Sequence, residues 1–357
     1  MFWLYLTLAA LAGLAAVAAL ATRLTFRLKD LSALDRQAYA VRQQSPGPEN
    51  QRVRELVEQA HGVAKSRAGK AGIVALRDHM DALSDDLVLH SALRLQETPK
   101  GEWMVAPEAD TRRRVLYLHG GGWTAGSPRS HRAITDRLSR ATRAAVFAVD
   151  YRLMPEHRFM DGVKDCREAY RWLLDNGPEG AAEAEFMLVA GDSAGGSHTL
   201  GLLAWLRDSG LRQADGAVAF SPSTDLTLTA PSNRRNIATD WLLGPMFGRF
   251  ARLPRPLVWW AVLALFRVSP THPQASPLRG RLAGLPPTLI QASADEMLVD
   301  NARRYAARAT AEGSPVTLQL WPGMVHVWQI FAPLLPEADE AFAEVAAFVA
   351  QMEAKQA

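Results

Sequence analysis

Cysteine is almost absent from this chain, which has one, Cys166, among its 357 residues. A single cysteine excludes an internal disulfide and any cysteine-rich metal site, and no metal centre is predicted. Tyr170 and Leu173 follow Cys166 at helical spacing, so we expect a buried structural thiol on a helix.

A concentrated basic surface is missing as well. Of 40 basic residues only six are lysines, the formal net charge is +3, and the arginines are scattered, with 112–114 the longest cluster. A nucleic-acid interface needs a basic stripe on one face, so we predict no nucleic-acid partner.

The N-terminus lacks charge altogether. Residues 2–22 contain no charged side chain, and 21 residues in a helix span roughly 30 Å, the hydrocarbon thickness of a bilayer. Aromatic residues stand near one end and basic residues follow the other: Phe2, Trp3, Tyr5, Arg23, Arg27 and Lys29. We predict an uncleaved single-pass anchor in segment 1–30, and the alternative is a signal peptide cleaved after the ALA at 19–21.

The charges beside this segment bear on its orientation. All nearby positive charge follows the apolar stretch, which favours a cytoplasmic catalytic domain by the positive-inside rule.

The rest of the chain divides into two patterns. Residues 31–100 have helical periodicity, and from 101 to 357 apolar strands alternate with helices. The predicted strands are 113–119, 144–152, 185–190, 216–222, 287–293 and 316–322. This alternation predicts an α/β fold whose mostly parallel sheet has helices on both faces.

Residues 223–286 interrupt the alternation and contain eight prolines. A structureless loop of that length is uncommon, so we interpret it as a helical insertion over the sheet. Its apolar run WWAVLALF, 259–266, is too short to span a bilayer. We expect it to be buried, the alternatives being a pocket wall or a membrane-contacting surface.

A glycine loop, HGGGW at 119–123, follows the first predicted strand. Gly120, Gly122 and Ala125 fit a dinucleotide fingerprint, with Asp150 at the end of the next strand. That fingerprint requires a helix to begin directly at the glycines, and here Pro128 and its neighbours intervene. A dinucleotide site is therefore the weaker interpretation.

A second motif, GDSAGG at 191–196, favours a catalytic role for the glycine loop over a dinucleotide site. It is the only G-x-S-x-G in the chain and lies between a predicted strand and a predicted helix, the context of a nucleophile elbow. Ser193 is the predicted nucleophile, and a nucleophilic serine requires an acid and then a histidine later in the chain.

Both partners follow predicted strands. Asp295 is the predicted acid and His326 the predicted base. Glu296 and Asp300 are rival acids, but the first lies further from the strand and the second belongs to the next helix. His119, His157 and His198 are rival bases, which belong to other motifs and precede Asp295, so a structural role is expected for them.

An acyl-transfer reaction at Ser193 gives the glycines of the HGGGW loop a role. Attack by Ser193 on an ester carbonyl creates an oxyanion that needs two or three N–H donors. We predict that the backbone N–H groups of Gly121, Gly122 and Ala194 form this oxyanion hole.

These motifs together resemble the hormone-sensitive-lipase-type family of α/β-hydrolases. They are HGGGW (119–123), YRLMPEH (151–157), GDSAGG (191–196), DEMLVD (295–300) and GMVHVW (323–328), and the resemblance covers roughly residues 80–350. It implies a serine carboxylesterase acting on short to medium acyl esters, with no cofactor and with a helical cap built from 31–100 and 223–286. The anchor is similar to that of the arylacetamide deacetylase branch, which implies a lumenal domain and conflicts with the charge rule.

The leading hypothesis is thus a membrane-anchored serine esterase acting on a small-molecule or lipid acyl ester. An amidase or deacetylase uses the same machinery and is not separated from it by sequence. A non-catalytic binding protein on a hydrolase fold is the alternative from a different class.

Overall fold

The core of the molecule is an eight-stranded sheet, with strand order β1-β2-β4-β3-β7-β8-β9-β10. The computed structural model describes residues 20–26, 28–43, 47–67, 69–86 and 93–356. The strands are β1 (Arg94–Thr98), β2 (Gly101–Val105), β3 (Asp110–Leu118), β4 (Ala144–Val149), β7 (Phe186–Asp192), β8 (Gly216–Phe220), β9 (Thr288–Ser293) and β10 (Val316–Trp321), with a separate two-residue pair, β5 (Asn176–Gly177) and β6 (Gly180–Ala181).

All six predicted strands are present, and from β4 through β10 every neighbouring pair is parallel. Two strands of the large sheet were not predicted. β1 and β2 pair antiparallel with each other, and β2 pairs antiparallel with β4, which extends the sheet at one edge. The prediction that helical structure continues to residue 100 is therefore wrong at its end, because β1 begins at Arg94.

The strands bury side chains on both faces, as their near-continuous apolar sequences predict. Leu116 and Val189 belong to the hydrophobic cluster on one face, while Val115 and Leu188 belong to the cluster on the other. This alternation follows from the two-residue period of a strand.

Between Glu49 and Gln356 the described chain forms ten α-helices. They are α1 (Glu49–Ser66), α2 (Gly69–Asp86), α3 (Arg132–Thr142), α4 (Phe159–Asp175), α5 (Ser193–Asp208), α6 (Ser232–Arg235), α7 (Leu243–Ala251), α8 (Arg255–Phe266), α9 (Val299–Ala311) and α10 (Pro336–Gln356). Side chains of α4, α5 and α9 pack in the first cluster, and those of α3 and α10 in the second. Cys166 is buried on α4, which confirms the expected structural thiol.

The insertion after β8 is helical, containing α6, α7 and α8. The expectation that WWAVLALF is buried is wrong, because on α8 only Val258 and Val262 are fully buried and Leu265 is 68% exposed. One face of this helix contacts the domain and the other faces outward.

Residues 20–26 form a short helical segment that packs on α8. The ring of Phe26 lies 5.8 Å from that of Trp259 and 5.2 Å from that of Trp260, and the Trp260 indole donates to Thr22 Oγ1 at 3.1 Å. Most of the predicted anchor, residues 1–19, lies outside the described residues. Among the helices that are described, none has both the length and the apolar character of a membrane span.

Candidate active site

Ser193 stands at a sharp turn between β7 and α5. Its backbone has a φ of +50°, which is rare for a residue with a side chain and costs conformational energy. The turn depends on two glycines. A Cβ at Gly191 would lie 2.6 Å from the carbonyl oxygen of Leu118, and one at Gly195 would lie 1.9 Å from the same atom. The G-x-S-x-G spacing is therefore a steric requirement of the strand-to-helix turn.

His326 lies in the turn that follows β10 and is buried against Ser193. Its Nε2 atom is 2.9 Å from Ser193 Oγ, and its Nδ1 atom is 3.1 Å from Oε2 of Glu296. A carboxylate only accepts, so Nδ1 carries the hydrogen in this arrangement and Nε2 is left free to accept from the serine hydroxyl. The structure thus brings together the predicted nucleophile and the predicted base.

The predicted acid, Asp295, does not contact this histidine, and that assignment is corrected. Asp295 Oδ2 accepts the backbone N–H of Gly323 at 2.6 Å and so ties the acid turn to the turn that leads to His326. Glu296, the rival acid, occupies the position beside the imidazole. Residues 294–298 form a turn beyond β9, where consecutive side chains point in different directions, so distance from the strand end does not identify the acid.

The turn that carries Glu296 is held by the insertion. Asn236 Nδ2 donates to the carbonyl of Glu296 at 3.0 Å, Thr239 Oγ1 donates to the carbonyl of Asp295 at 2.8 Å, and Asp240 accepts the N–H of Met297 at 2.7 Å. The other rival acid, Asp300, lies on α9 and accepts the N–H of Ser232 at 2.9 Å. Asp300 therefore helps to hold α6.

The charges around His326 favour its protonated form. Burial by itself lowers the pKa of His326, but the hydrogen bond and charge of Glu296 and the charges of Asp240 and Asp192 outweigh it and raise the pKa. Asp240 is itself buried, and burial raises the pKa of its carboxyl group. Sequence reasoning missed Asp240, because it belongs to the insertion and to no motif.

The three rival histidines do not contact Ser193. His119 stacks on Tyr151 with ring centroids 4.2 Å apart, and burial lowers the pKa of His119 to about 3. His198 is enclosed by aromatic rings, and burial lowers its pKa to about 3 as well. His157 is exposed at the rim of a cavity.

The glycine loop lies beside the serine with unusual backbone angles. φ is +107° at Gly121 and +62° at Gly122. A Cβ at Gly121 would lie 2.1 Å from the carbonyl oxygen of Ala125, whereas one at Gly122 would meet open space. Within the described part of the chain no acceptor is recorded for either N–H group, and the N–H of Ala194 lies in the first turn of α5, where helix N–H groups lack intrahelical partners.

A buried carboxylate beneath the loop joins it to the serine turn. Asp192 accepts the N–H of Gly120 at 2.8 Å and the hydroxyl of Tyr117 at 2.5 Å, and His131 Nε2 lies 3.5 Å away. Burial opposes ionisation of Asp192, but the charge and hydrogen bond of His131 and the Tyr117 hydroxyl lower its pKa overall. Sequence reasoning did not assign this network, although Asp192 lies inside the serine motif.

The helix after the loop begins only at Arg132, preceded by a single 3-10 turn over Arg129–His131. The glycines are therefore not at a helix N-terminus, which agrees with the argument against a dinucleotide site.

Two cavities meet at Ser193. The larger, about 930 Å³, extends between Gly122, α7 and α8. The smaller, about 200 Å³, reaches Ser193 and His326 from the side of α1 and α2. The linings are mainly apolar, so the site suits a substrate with apolar groups on both sides of the reacting carbonyl. Within the described ranges no cluster of His, Cys, Asp and Glu has the arrangement of a metal site.

The chain is similar to known proteins in both sequence and structure. A family model described as the alpha/beta hydrolase fold matches residues 115–330. An acetyl-hydrolase of Streptomyces hygroscopicus is 41% identical over 249 residues, which are 70% of this chain and 78% of that protein. Esterase LipU of Mycobacterium tuberculosis is 35% identical over 69% of this chain and 80% of its own length. A crystal structure of an esterase from the bacterial hormone-sensitive lipase family has a TM-score of 0.73 and 32% identity, and the match covers 87% of this chain and 99% of that one.

The chain belongs to the hormone-sensitive-lipase-type family of α/β-hydrolases. It is a carboxylic ester hydrolase of the serine esterase class.

Proposed function

We propose that this esterase cleaves short- to medium-chain acyl esters, with Ser193 as nucleophile, His326 as general base and Glu296 as the acid that orients the base. The observation that carries the assignment is the unbroken hydrogen-bond chain from Ser193 Oγ through both imidazole nitrogens to Glu296 Oε2.

The reaction follows from these contacts. Nε2 of His326 takes the Ser193 proton as Oγ attacks the ester carbonyl, and Glu296 stabilises the resulting imidazolium. The N–H groups of Gly121, Gly122 and Ala194 donate to the oxyanion of the tetrahedral intermediate. His326 then returns the proton to the leaving alcohol, which departs and leaves an acyl-serine.

Hydrolysis of the acyl-serine completes the cycle. His326 takes a proton from water as the water oxygen attacks the acyl carbonyl, and the same N–H groups hold the second oxyanion. The proton passes to Ser193 Oγ as the acyl bond breaks, so a carboxylic acid is released and the enzyme is restored.

The cavities support an ester with apolar groups on both sides of the carbonyl, one part in each cavity. The name of one relative, an acetyl-hydrolase, supports a short acyl group on the substrate. An amide substrate uses the same groups, and anilides beside esters in one assay distinguish the two activities.

The decisive experiment measures hydrolysis of nitrophenyl esters of increasing acyl length by the parent, Ser193→Ala and Ser197→Ala. Ser197 lies one turn further along α5, is buried, and has a hydroxyl with no hydrogen-bond partner among the described residues. We expect Ser193→Ala to abolish turnover and Ser197→Ala to retain it. Full activity in Ser193→Ala would refute the assignment, and a parent inert on every ester and anilide would favour a binding protein.

We also propose that residues 2–22 anchor the enzyme in a membrane as a single pass. Their lack of charge and their length support this, and the basic residues that follow support a cytoplasmic catalytic domain. Protease treatment of sealed vesicles tests the orientation: a domain on the cytoplasmic side is digested only from that side, and the reverse pattern would contradict the charge rule.

A further inference from the structure

The exposed apolar side chains of this protein are concentrated around one part of the fold. Apart from Val41 and Leu95, every large exposed apolar residue of the described chain lies in segment 20–26, on α2, or in the region of α7 and α8: Leu20, Leu24, Val74, Met246, Phe247, Leu253, Leu257, Trp260 and Leu265. Scattered exposed apolar residues are normal, but a concentration of them indicates a binding surface.

The outer surface of α8 is the centre of this group. From Pro256 to Phe266 the helix has no charged residue, and its inner side packs through Val258 and Val262. Leu257, Trp260 and Leu265 lie on the other side and are 55%, 42% and 68% exposed. A helix apolar on all sides belongs in a core or in lipid, and here half of it faces outward.

Some of the cations around this surface lack an acidic partner. Residues 241–294 contain no Asp or Glu and six arginines, of which Arg279 and Arg281 pair with aspartates of other segments. Arg249 and Arg252 are exposed on and just after α7, and neither forms a salt bridge with another described residue. An apolar face bordered by these two arginines suits the surface of an anionic bilayer, because the negative lipid headgroups attract exposed cations.

The same face is continuous with the uncharged N-terminal stretch. Residues 2–22 are long enough to cross a bilayer, and the described end of that stretch lies on α8 through Thr22 and Trp260. Of the described residues, those at the end of this stretch therefore lie beside the outer side of α8. Trp260, with an apolar ring and an indole N–H, is a residue type found at membrane interfaces.

The larger cavity opens at the border of this face. Phe247 on α7 and Leu265 on α8 both line the cavity and are exposed, so they mark its mouth. The exposed polar residues Glu156, His157 and Arg158 stand elsewhere on the rim of the same cavity. The mouth therefore has an apolar part and a polar part, as expected of an opening at a lipid–water boundary.

We infer that the outer face of α7 and α8 rests on an anionic phospholipid bilayer and that the cavity takes up esters dissolved in the lipid. Uptake of esters rests on the proposed esterase function, whereas the contact of the face with the bilayer is tested independently of it. The occupant of the face is lipid, and a second copy of the chain or the N-terminal stretch folded over the face are outcomes that the experiment distinguishes.

The test of position uses the full chain reconstituted in vesicles of phosphatidylcholine and phosphatidylglycerol. Spin labels are attached to Leu257→Cys and to the control Leu95→Cys, an exposed apolar position on β1 that lies outside the face; the native Cys166 is buried. We expect the label at position 257 to be accessible to oxygen and shielded from a water-soluble nickel chelate, and the label at 95 to be readily accessible to the chelate. Equal aqueous accessibility at both sites overturns the inference, and so does shielding of position 257 from both reagents, which indicates a protein cover.

A kinetic test addresses uptake from lipid. Leu253→Glu/Leu257→Glu is compared with the control Val41→Glu/Leu95→Glu on a long-chain ester dissolved in the vesicles and on a water-soluble acetate ester. Because these two exposed leucines are expected to enter the bilayer, their loss should lower the ratio of vesicle to soluble activity at least about tenfold in the first variant only. An unchanged ratio overturns the inference. If the parent hydrolyses neither ester, the proposed esterase function fails, and the label measurement still decides the position of the face.

Discussion

Replacing Glu296 by glutamine is the sharpest test of the active-site geometry. The substitution keeps the shape of the side chain and removes the charge that lies 3.1 Å from His326 Nδ1. A glutamine amide also donates to Nδ1, which favours the tautomer with the hydrogen on Nε2. In that tautomer the histidine cannot accept the proton of Ser193.

The magnitude follows from the distance. Two unit charges 3.1 Å apart interact by about 5 kcal/mol at an effective dielectric constant of about 20. At about 1.4 kcal/mol per tenfold change in rate, this corresponds to between three and four orders of magnitude. Loss of the orienting carboxylate in serine proteases lowers kcat by about 10⁴. We expect kcat/KM of Glu296→Gln to fall by about 10³ to 10⁴.

The matched control is Asp295→Asn, one residue earlier. Asparagine retains an oxygen to accept the N–H of Gly323, and Asp295 has no contact with His326. We expect kcat/KM to stay within about tenfold of the parent, since only a single hydrogen bond is weakened. Ester hydrolysis is measured for both variants, with circular dichroism to verify folding. A larger loss in Asp295→Asn than in Glu296→Gln would refute the reasoning.

Three further predictions follow from the structure. Activity should rise with pH as free His326 loses its proton, at a pH above the ordinary histidine pKa of 6.5. In Glu296→Gln the acid limb of the kcat/KM profile should move to lower pH, because the hydrogen bond and charge that raise the pKa of His326 are gone. An acid limb at the same pH in both enzymes would contradict this. Gly121→Ala places a Cβ 2.1 Å from a backbone carbonyl oxygen and should lower kcat by about 10² to 10³. The Cβ of Gly122→Ala meets open space, so this variant carries only the backbone cost of a left-handed residue, about 1–2 kcal/mol. Equal losses of kcat in the two variants would argue against this loop geometry. Phe147→Ala removes a fully buried ring from β4 and should lower the free energy of unfolding by about 3–5 kcal/mol in urea titration, with the activity of the folded fraction retained.

The central strands were predictable because burial on both faces leaves a direct trace in the sequence. β4 and β7 are buried along their whole length, and their sequences are nearly continuous apolar runs. β1 reads RLQET and is mostly exposed, so it has no apolar pattern to detect. β2 reads GEWMV, and its apolar run is only three residues long. Both are held by antiparallel pairing at the edge of the sheet, a tertiary contact that local sequence does not encode.

The helix at the apolar run 259–266 illustrates the same limit. Its composition favours burial, and as a helix of the insertion it packs one side on the domain and leaves the other exposed. Composition reports how apolar a helix is, while its position in the fold decides how much of that surface is covered.

Ser193 and His326, the proposed nucleophile and base, were both predicted from the sequence alone, and they lie in contact in the structure. The turn at Ser193 needs small residues on both sides, so the motif and the geometry are one constraint. The acid was decided by the tertiary structure alone. The turn after β9 is held by hydrogen bonds to residues that lie 56 to 60 positions earlier in the chain. Asn236 and Thr239 donate to its carbonyl groups, and Asp240 accepts one of its N–H groups. In this turn the Glu296 side chain contacts His326, and the Asp295 side chain contacts the N–H of Gly323. Asp295 and Glu296 are adjacent carboxylates whose side chains point in different directions from the turn. Contacts distant in sequence help to fix those directions, so the order of residues in the chain did not show which carboxylate lies beside His326.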